Sequence, residues 1–148
     1  MLSPMELALE QAARAEARGE VPVVAVLVDA AGVVLAAAGN EVEARHDPTA
    51  HAELLVLRAA AALRQSPRLA DCDLYVTLEP CAMCAAAISF ARIRRLYYGA
   101  YDPKGGAVEH GARFFTLATC HHRPEIYGGI EEQRAAALLK DFFLSRRE

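Results

Sequence analysis

The chain has 148 residues, 54% of them hydrophobic and 24% charged, a balance that excludes a disordered polypeptide and suits one globular domain spanning 1–148. Its net charge of −3 taken alone argues against a nucleic-acid partner, and its most apolar stretch, "VPVVAVLVDAAGVVLAAAG", is broken by Pro22, Asp29 and Gly32, so no membrane span is expected. "MLSPMELALE" carries neither a basic leader nor a cleavable apolar core, which leads to the expectation of a soluble, cytoplasmic protein.

Ser3-Pro4-Met5-Glu6 is a capping box with proline at the first helical position, which predicts a helix from about Pro4 to Arg18, ended by Gly19 in the left-handed conformation. "VVAVLVD" and "VVLAAAGN" flank Asp29-Ala30-Ala31-Gly32 and read as two strands joined by a hairpin. Asp47-Pro48 then opens an apolar helix reaching about Arg64. "DLYVTLE" is a strand, "CAMCAAAISFARI" a helix and "RRLYYGA" another strand, an alternation that favours parallel pairing through helical crossovers. Between Tyr101 and Gly129 the sequence is rich in Gly, Pro and His, with one short strand in "RPEIYGG", and Glu131 to Arg146 should close the chain as a helix. The expected architecture is α/β: one mixed five-stranded sheet with helices on both faces, a three-layer α/β/α arrangement.

Charge is unevenly spread. Residues 1–91 hold six Lys/Arg against twelve Asp/Glu, whereas residues 92–123 hold six against two. A local basic segment on an acidic protein can meet phosphates, because contact depends on the local field; it can equally be a solvated face.

Two clusters carry chemistry: His51-Ala52-Glu53 and Pro80-Cys81-Ala82-Met83-Cys84, each at a transition into a predicted helix. Cys81 and Cys84, three apart, lie one helical turn from each other, and a helix N-terminus stabilises the thiolate that binds metal. With His51 they make three ligands suited to zinc and leave one tetrahedral position open, the catalytic pattern. Zinc lowers the pKa of bound water by roughly nine units, worth about 12 kcal/mol, so the metal makes the hydroxide and Glu53 moves protons. On a regular helix, residues two apart point about 200° from each other, so His51 must sit in an irregular first turn if both are to reach one ion. Other readings remain open here. Cys81 and Cys84 could be a redox dithiol, which leaves His51 and Glu53 unexplained. A closed structural zinc site would need a fourth ligand from Cys72, Cys120, His121 or His122, none with the paired spacing of such sites. Cys72 and Cys120 are read as packing residues, and a histidine in an apolar helix is often simply a core residue.

"RHDPTAHAE" followed by "LYVTLEPCAMC" carries the His-x-Glu…Pro-Cys-x-x-Cys signature and resembles the zinc-dependent nucleobase deaminases. "EVPV", "AVLV", "YGAYDPKGG", "CHHRPEIYGGI" and "ALLKDFFLSRR" extend the likeness over nearly the whole chain, most closely to the bacterial tRNA-specific adenosine deaminases. The resemblance implies a cytidine deaminase-like fold and hydrolytic conversion of adenosine to inosine at the wobble position of a tRNA anticodon. It implies one Zn2+ per subunit on His51, Cys81 and Cys84, with Glu53 as the proton shuttle. Asn40 and the Ala52 backbone amide would meet the flipped nucleoside. Asp102 and Lys104 match a loop bordering the anticodon, and Phe142, Phe143, Arg146 and Arg147 match a closing helix near it. At helical spacing, at least one phenylalanine is expected in the core. The anticodon stem-loop would be the partner, and a homodimer is implied with helices near the zinc at its interface. Deamination of a free guanine- or cytosine-type base, nucleoside or nucleotide is the nearest alternative; a zinc-stapled RNA-binding module without catalysis is the alternative from another class. One departure stands out: Val24 occupies a position where the family commonly has glycine. A branched side chain needs room there, so the packing around the first strand, and with it the pocket wall, is where an effect is expected.

Overall fold

The structure is a computed structural model that describes residues 2–146. The capping box forms as the sequence predicts: Glu6 N–H donates to Ser3 Oγ at 3.1 Å, and Ser3 N–H donates to Glu6 Oε1 at 3.2 Å. Such caps contribute about 1 kcal/mol each. They open α1, Pro4–Ala17, whose Met5, Ala8, Leu9, Ala12 and Ala15 are buried along one face, and Gly19 follows at φ +77°.

Strands β1, Val24–Val28, and β2, Val34–Gly39, form an antiparallel hairpin. Its turn is held by Asp29 Oδ1, which accepts the N–H groups of Ala31 and Val33 at 2.9 Å each. β1 is buried on both faces, which explains its unbroken apolar sequence. Val24, Val26 and Val28 point to the α1 layer, while Ala25 and Leu27 point to the opposite one. The remaining strands are β3, Asp73–Leu78, β4, Arg95–Ala100, and β5, Glu125–Tyr127. The order is β2-β1-β3-β4-β5; β1 pairs antiparallel with β3, and β3 with β4 and β4 with β5 are parallel. This is the expected mixed five-stranded sheet. Helices α3, Ala52–Arg64, and α4, Ala82–Phe90, cover one face; α1 and α5, Glu132–Ser145, cover the other.

The helix expected from Asp47 begins five residues later. Asp47 Oδ1 accepts both the N–H and the hydroxyl of Thr49, at 2.8 and 2.7 Å, and Ala50 N–H donates to the Asp47 carbonyl. The aspartate therefore closes a turn of its own instead of capping a helix, a competition typical of short polar side chains. A one-turn helix, α2, Val42–Arg45, was not expected and precedes that turn. The helix expected to reach Ile93 stops at Phe90, because Arg92 adopts φ +63° and turns the chain into β4. The branched side chain of Val24 has room. Its antiparallel partner is Gly39, where even an added Cβ would lie 3.5 Å from Val24 Cγ2, so the valine fills space its partner leaves.

Candidate metal centre and active site

The C-terminal ends of the parallel strands β3 and β4 meet the N-termini of α3 and α4, the edge where open α/β sheets place ligands. His51 and Cys81 occupy equivalent places there. Each is an extended N-cap residue, with ψ of 149° and 176°, directly before its helix. This resolves the angular problem of His51 and Glu53: the histidine lies outside the helical repeat, and only Glu53 is in the first turn. The Asp47–Thr49 turn is what delivers His51 in that conformation.

His51 Nδ1 lies 3.6 Å from Cys81 Sγ and 3.5 Å from Cys84 Sγ. Zinc bonds of about 2.05 Å to nitrogen and 2.3 Å to sulfur at a tetrahedral angle require a separation of about 3.6 Å. The three donor atoms lie within 4.8 Å of one another, and among the described residues no other histidine, cysteine or carboxylate joins the group. The donor set therefore fits zinc with one position left over. Cys72 is buried and its sulfur lies 3.5 Å from Asp71 Oδ1, while Cys120 packs against Ser89 and the His122 carbonyl. His122 Nε2–H donates to the Ile93 carbonyl at 2.7 Å, and His121 is exposed. All four stay away from the centre, and every cysteine is free, so the closed structural site loses its fourth ligand.

The two thiols are electrostatically unequal. The neighbouring Cys84 thiol, with the first-turn amides of α4 facing Cys81, lowers the Cys81 thiol to about 5; burial opposes the shift and is outweighed. Cys84 is pushed upward, first by its hydrogen bond with Cys81 and then by burial. Glu53, only 4% exposed, is raised to about 7 mainly by burial, with Cys81 nearby adding to the rise. A carboxyl that titrates near neutrality can both accept and return a proton.

A cavity of about 250 Å³ opens on this group and is lined by His51, Ala52, Glu53, Cys81 and Asn40, with Val23 rather than Val24 on its wall. Asn40 is a turn residue at the edge of this cavity. Its Oδ1 accepts the Val42 N–H at 2.8 Å as a turn residue, which leaves the side-chain amide N–H groups as donors beside the cavity. The Ala52 N–H, at the first position of α3, has no intrahelical acceptor. Asp102, Val21, Leu78 and Gly105 border this cavity and also a second, wider one of about 770 Å³, which Lys104, Tyr101, Leu139, Phe143 and Arg146 complete. Asp102 Oδ1 is engaged in its own loop, accepting the Lys104 and Gly105 N–H groups. Phe143 is 51% exposed in the groove, whereas Phe142 is a core residue, 5% exposed, with the Arg146 guanidinium carbon 4.5 Å above its ring. Arg147 lies outside the described residues. Sequence reasoning assigned no role to Glu79 or Tyr101. An acid between Leu78 and Pro80 was the available signal for the first, but its partners lie 23 to 31 positions downstream.

Residues 2–100 match the family profile of the cytidine and deoxycytidylate deaminase zinc-binding region. The chain belongs to this family. The deaminase chain is 58% identical over 143 residues to a tRNA-specific adenosine deaminase of Agrobacterium fabrum, covering 97% of this chain and 93% of that one. A solved structure described in work on A-to-I editing by tRNA:A34 deaminases at the wobble position of transfer RNA superposes with a TM-score of 0.89 at 59% identity, covering 92% of this chain and 98% of that one. A guanine deaminase from Nitrosomonas europaea shares the fold, with a TM-score of 0.81 at 24% identity, covering 94% of this chain and 82% of that one. Zinc is the cofactor of this deaminase family, and the His51–Cys81–Cys84 group could hold the ion in this chain.

Proposed function

We propose that this chain, acting as one domain, deaminates adenosine to inosine at the wobble position of a tRNA anticodon. The observation that carries the reading is the continuity of the zinc-facing cavity with a groove about three times larger, lined by Lys104, Arg146, Tyr101 and Phe143. A free base needs no such extension, whereas a nucleotide within RNA must lay its neighbours and phosphates somewhere. Anticodon loops suit the arrangement, since their bases are already unpaired and cost little to turn out.

When bound, zinc makes water acidic enough to serve as a nucleophile near neutral pH. The chain's own residues do the rest. Asn40 and the Ala52 N–H hold the nucleoside with its amine-bearing carbon toward the metal side. Glu53 takes one proton of the attacking water and delivers it to N1 of the ring, then takes the remaining proton from the oxygen now on carbon 6 and gives it to the departing amine. The water oxygen ends on carbon 6, the C–N bond breaks and ammonia leaves. Glu53 is buried beside the two thiols, which suits a group that must hold a proton between these steps.

The working unit in this reading is a homodimer in the cytoplasm, binding an anticodon stem-loop. Support for pairing comes from the outer face of α3 and α4, where Leu54, Leu57, Ala61, Ala87 and Phe90 form an apolar surface and Phe90 is 74% exposed. No described helix is long and apolar enough to cross a membrane. The test is inosine formation in anticodon stem-loop RNA against ammonia release from free bases and nucleosides. Inosine in the RNA is the expected result; release from free bases alone would favour the guanine- or cytosine-type alternative, and binding without turnover would favour the non-catalytic module.

A further inference from the structure

We infer that Glu79 is a positioning residue, whose carboxylate holds the substrate loop Asp102–His110 against the metal centre and so sets affinity for RNA. Its side chain is fully buried at the end of β3, one residue before Pro80 and two before Cys81. Glu79 Oε2 accepts the N–H groups of Val108, Glu109 and His110, at 3.1, 2.9 and 3.1 Å. Glu79 Oε1 accepts the Asp102 N–H at 3.0 Å and lies 2.8 Å from His110 Nδ1. Both ends of the loop thus converge on one side chain. The loop has no helix or strand to shape it between these ends. The Ala107 N–H donates to the Pro80 carbonyl at 2.8 Å, which ties the middle of the loop to the same segment that presents Cys81.

Two further observations fit a fixed loop. A Cβ at Gly106 would lie 2.6 Å from the Asp102 carbonyl oxygen and 2.6 Å from Glu79 Cδ, so the loop backbone rests directly on the carboxylate. The His110 ring packs edge-on against Tyr101, which itself packs edge-on against Tyr98 of β4, so the histidine is braced from a second side. The consequence is functional because Asp102 and Lys104 border the groove and Asp102 also borders the inner cavity. Releasing the loop displaces these residues while leaving His51, Glu53 and both cysteines on their helices. A buried carboxylate is a suitable clamp, since each of its oxygens accepts several N–H groups and water cannot replace them.

The inference rests on the RNA reading above, and its test keeps the two apart. Amide hydrogen exchange of the zinc-loaded Glu79→Gln chain reads the clamp without reference to activity. Faster exchange at Asp102, Gly106, Val108, Glu109 and His110, with β3 and α4 unchanged, is expected; unchanged exchange overturns the inference. Kinetics on anticodon stem-loop RNA reads the consequence. The Glu79→Gln chain should keep its zinc and show KM raised about tenfold with kcat within about threefold of the parent, because loop contacts bind and do not react. A residue that merely supports folding would lower the active fraction, and with it kcat, at constant KM; that outcome overturns the inference. If Glu79→Gln loses zinc or fails to fold, His110→Asn decides: it removes one contact of the clamp, and an unchanged KM and loop exchange there overturn the inference as well. Absence of inosine with the parent chain would instead count against the RNA reading, and loop exchange would still decide the clamp.

Discussion

The metal centre and the loop beyond β4 form two walls of one pocket, and they are held in different ways. On the metal side, His51 and Cys81 are N-cap residues, while Glu53 and Cys84 sit in the first turns that follow. Their positions follow from helices whose buried faces, Val56, Leu57 and Ala60 on α3 and Ala85 and Ile88 on α4, lock into the sheet. On the loop side, nothing regular exists between Asp102 and His110, and one distant carboxylate supplies the order. Chemistry is thus mounted on elements that resist motion. In the proposed reading, substrate contact is mounted on the irregular segment, which meets the metal side through the Ala107–Pro80 hydrogen bond.

The largest expected effect breaks the metal wall. His51→Ala or Cys84→Ala should reduce zinc from one per chain to near zero and abolish turnover, as metal analysis and inosine assay will read. Glu53→Gln comes next. It keeps the shape of the side chain but cannot carry the proton, so zinc should stay at one per chain while kcat falls about 10²- to 10⁴-fold. Normal turnover in that variant would falsify the mechanism and leave the RNA-binding module standing.

The loop wall is broken by Gly106→Ala. The added methyl would meet a backbone oxygen and the buried Glu79 carboxyl at 2.6 Å each, and neither is the free end of a flexible side chain. Overpacking of this kind costs about 1–3 kcal/mol. The expected outcome is a lower melting temperature and weaker RNA binding with full zinc content. Loss of zinc in parallel would mean that the two walls are mechanically one.

The same division explains what could be read from the sequence. The metal wall was legible because its ligands fall in two short windows, and spacing alone suggested a common ion. Four of the strands and the sheet-covering helices were legible because each is longer than a few residues and patterned, down to the capping box of α1. By contrast, β5 spans only Glu125–Tyr127 and showed as one short apolar-centred stretch between Pro124 and Gly128. The start of α3 was not, since Asp47 had two uses and the choice depends on Thr49 taking its oxygen. The left-handed Arg92 that stops α4 early has no glycine or asparagine to announce it. Glu79 was invisible in its role because a carboxylate at a strand end says nothing about which N–H groups will come to it. Phe142 and Phe143 are adjacent, and only packing decides that the first is core and the second faces the groove.

The smallest expected effect sharpens the loop wall by separating charge from shape. Lys104 is exposed at the rim of the groove and makes no ion pair among the described residues, so its ammonium is available to a phosphate. Its backbone N–H, by contrast, donates to Asp102 Oδ1 at 3.2 Å and is part of the loop's shape. Lys104→Ala deletes the ammonium and keeps the N–H. Affinity for anticodon stem-loop RNA should therefore fall only severalfold at moderate salt, and the slope of log affinity against log salt should lose about one unit, as expected for one fewer phosphate neutralised. The Gly106→Ala variant distorts the loop and removes no charge, so its binding should weaken with the slope largely preserved. Measuring both variants over a salt series distinguishes a wall that works by its field from one that works by its form. An unchanged slope in Lys104→Ala would remove Lys104 from the phosphate-binding set.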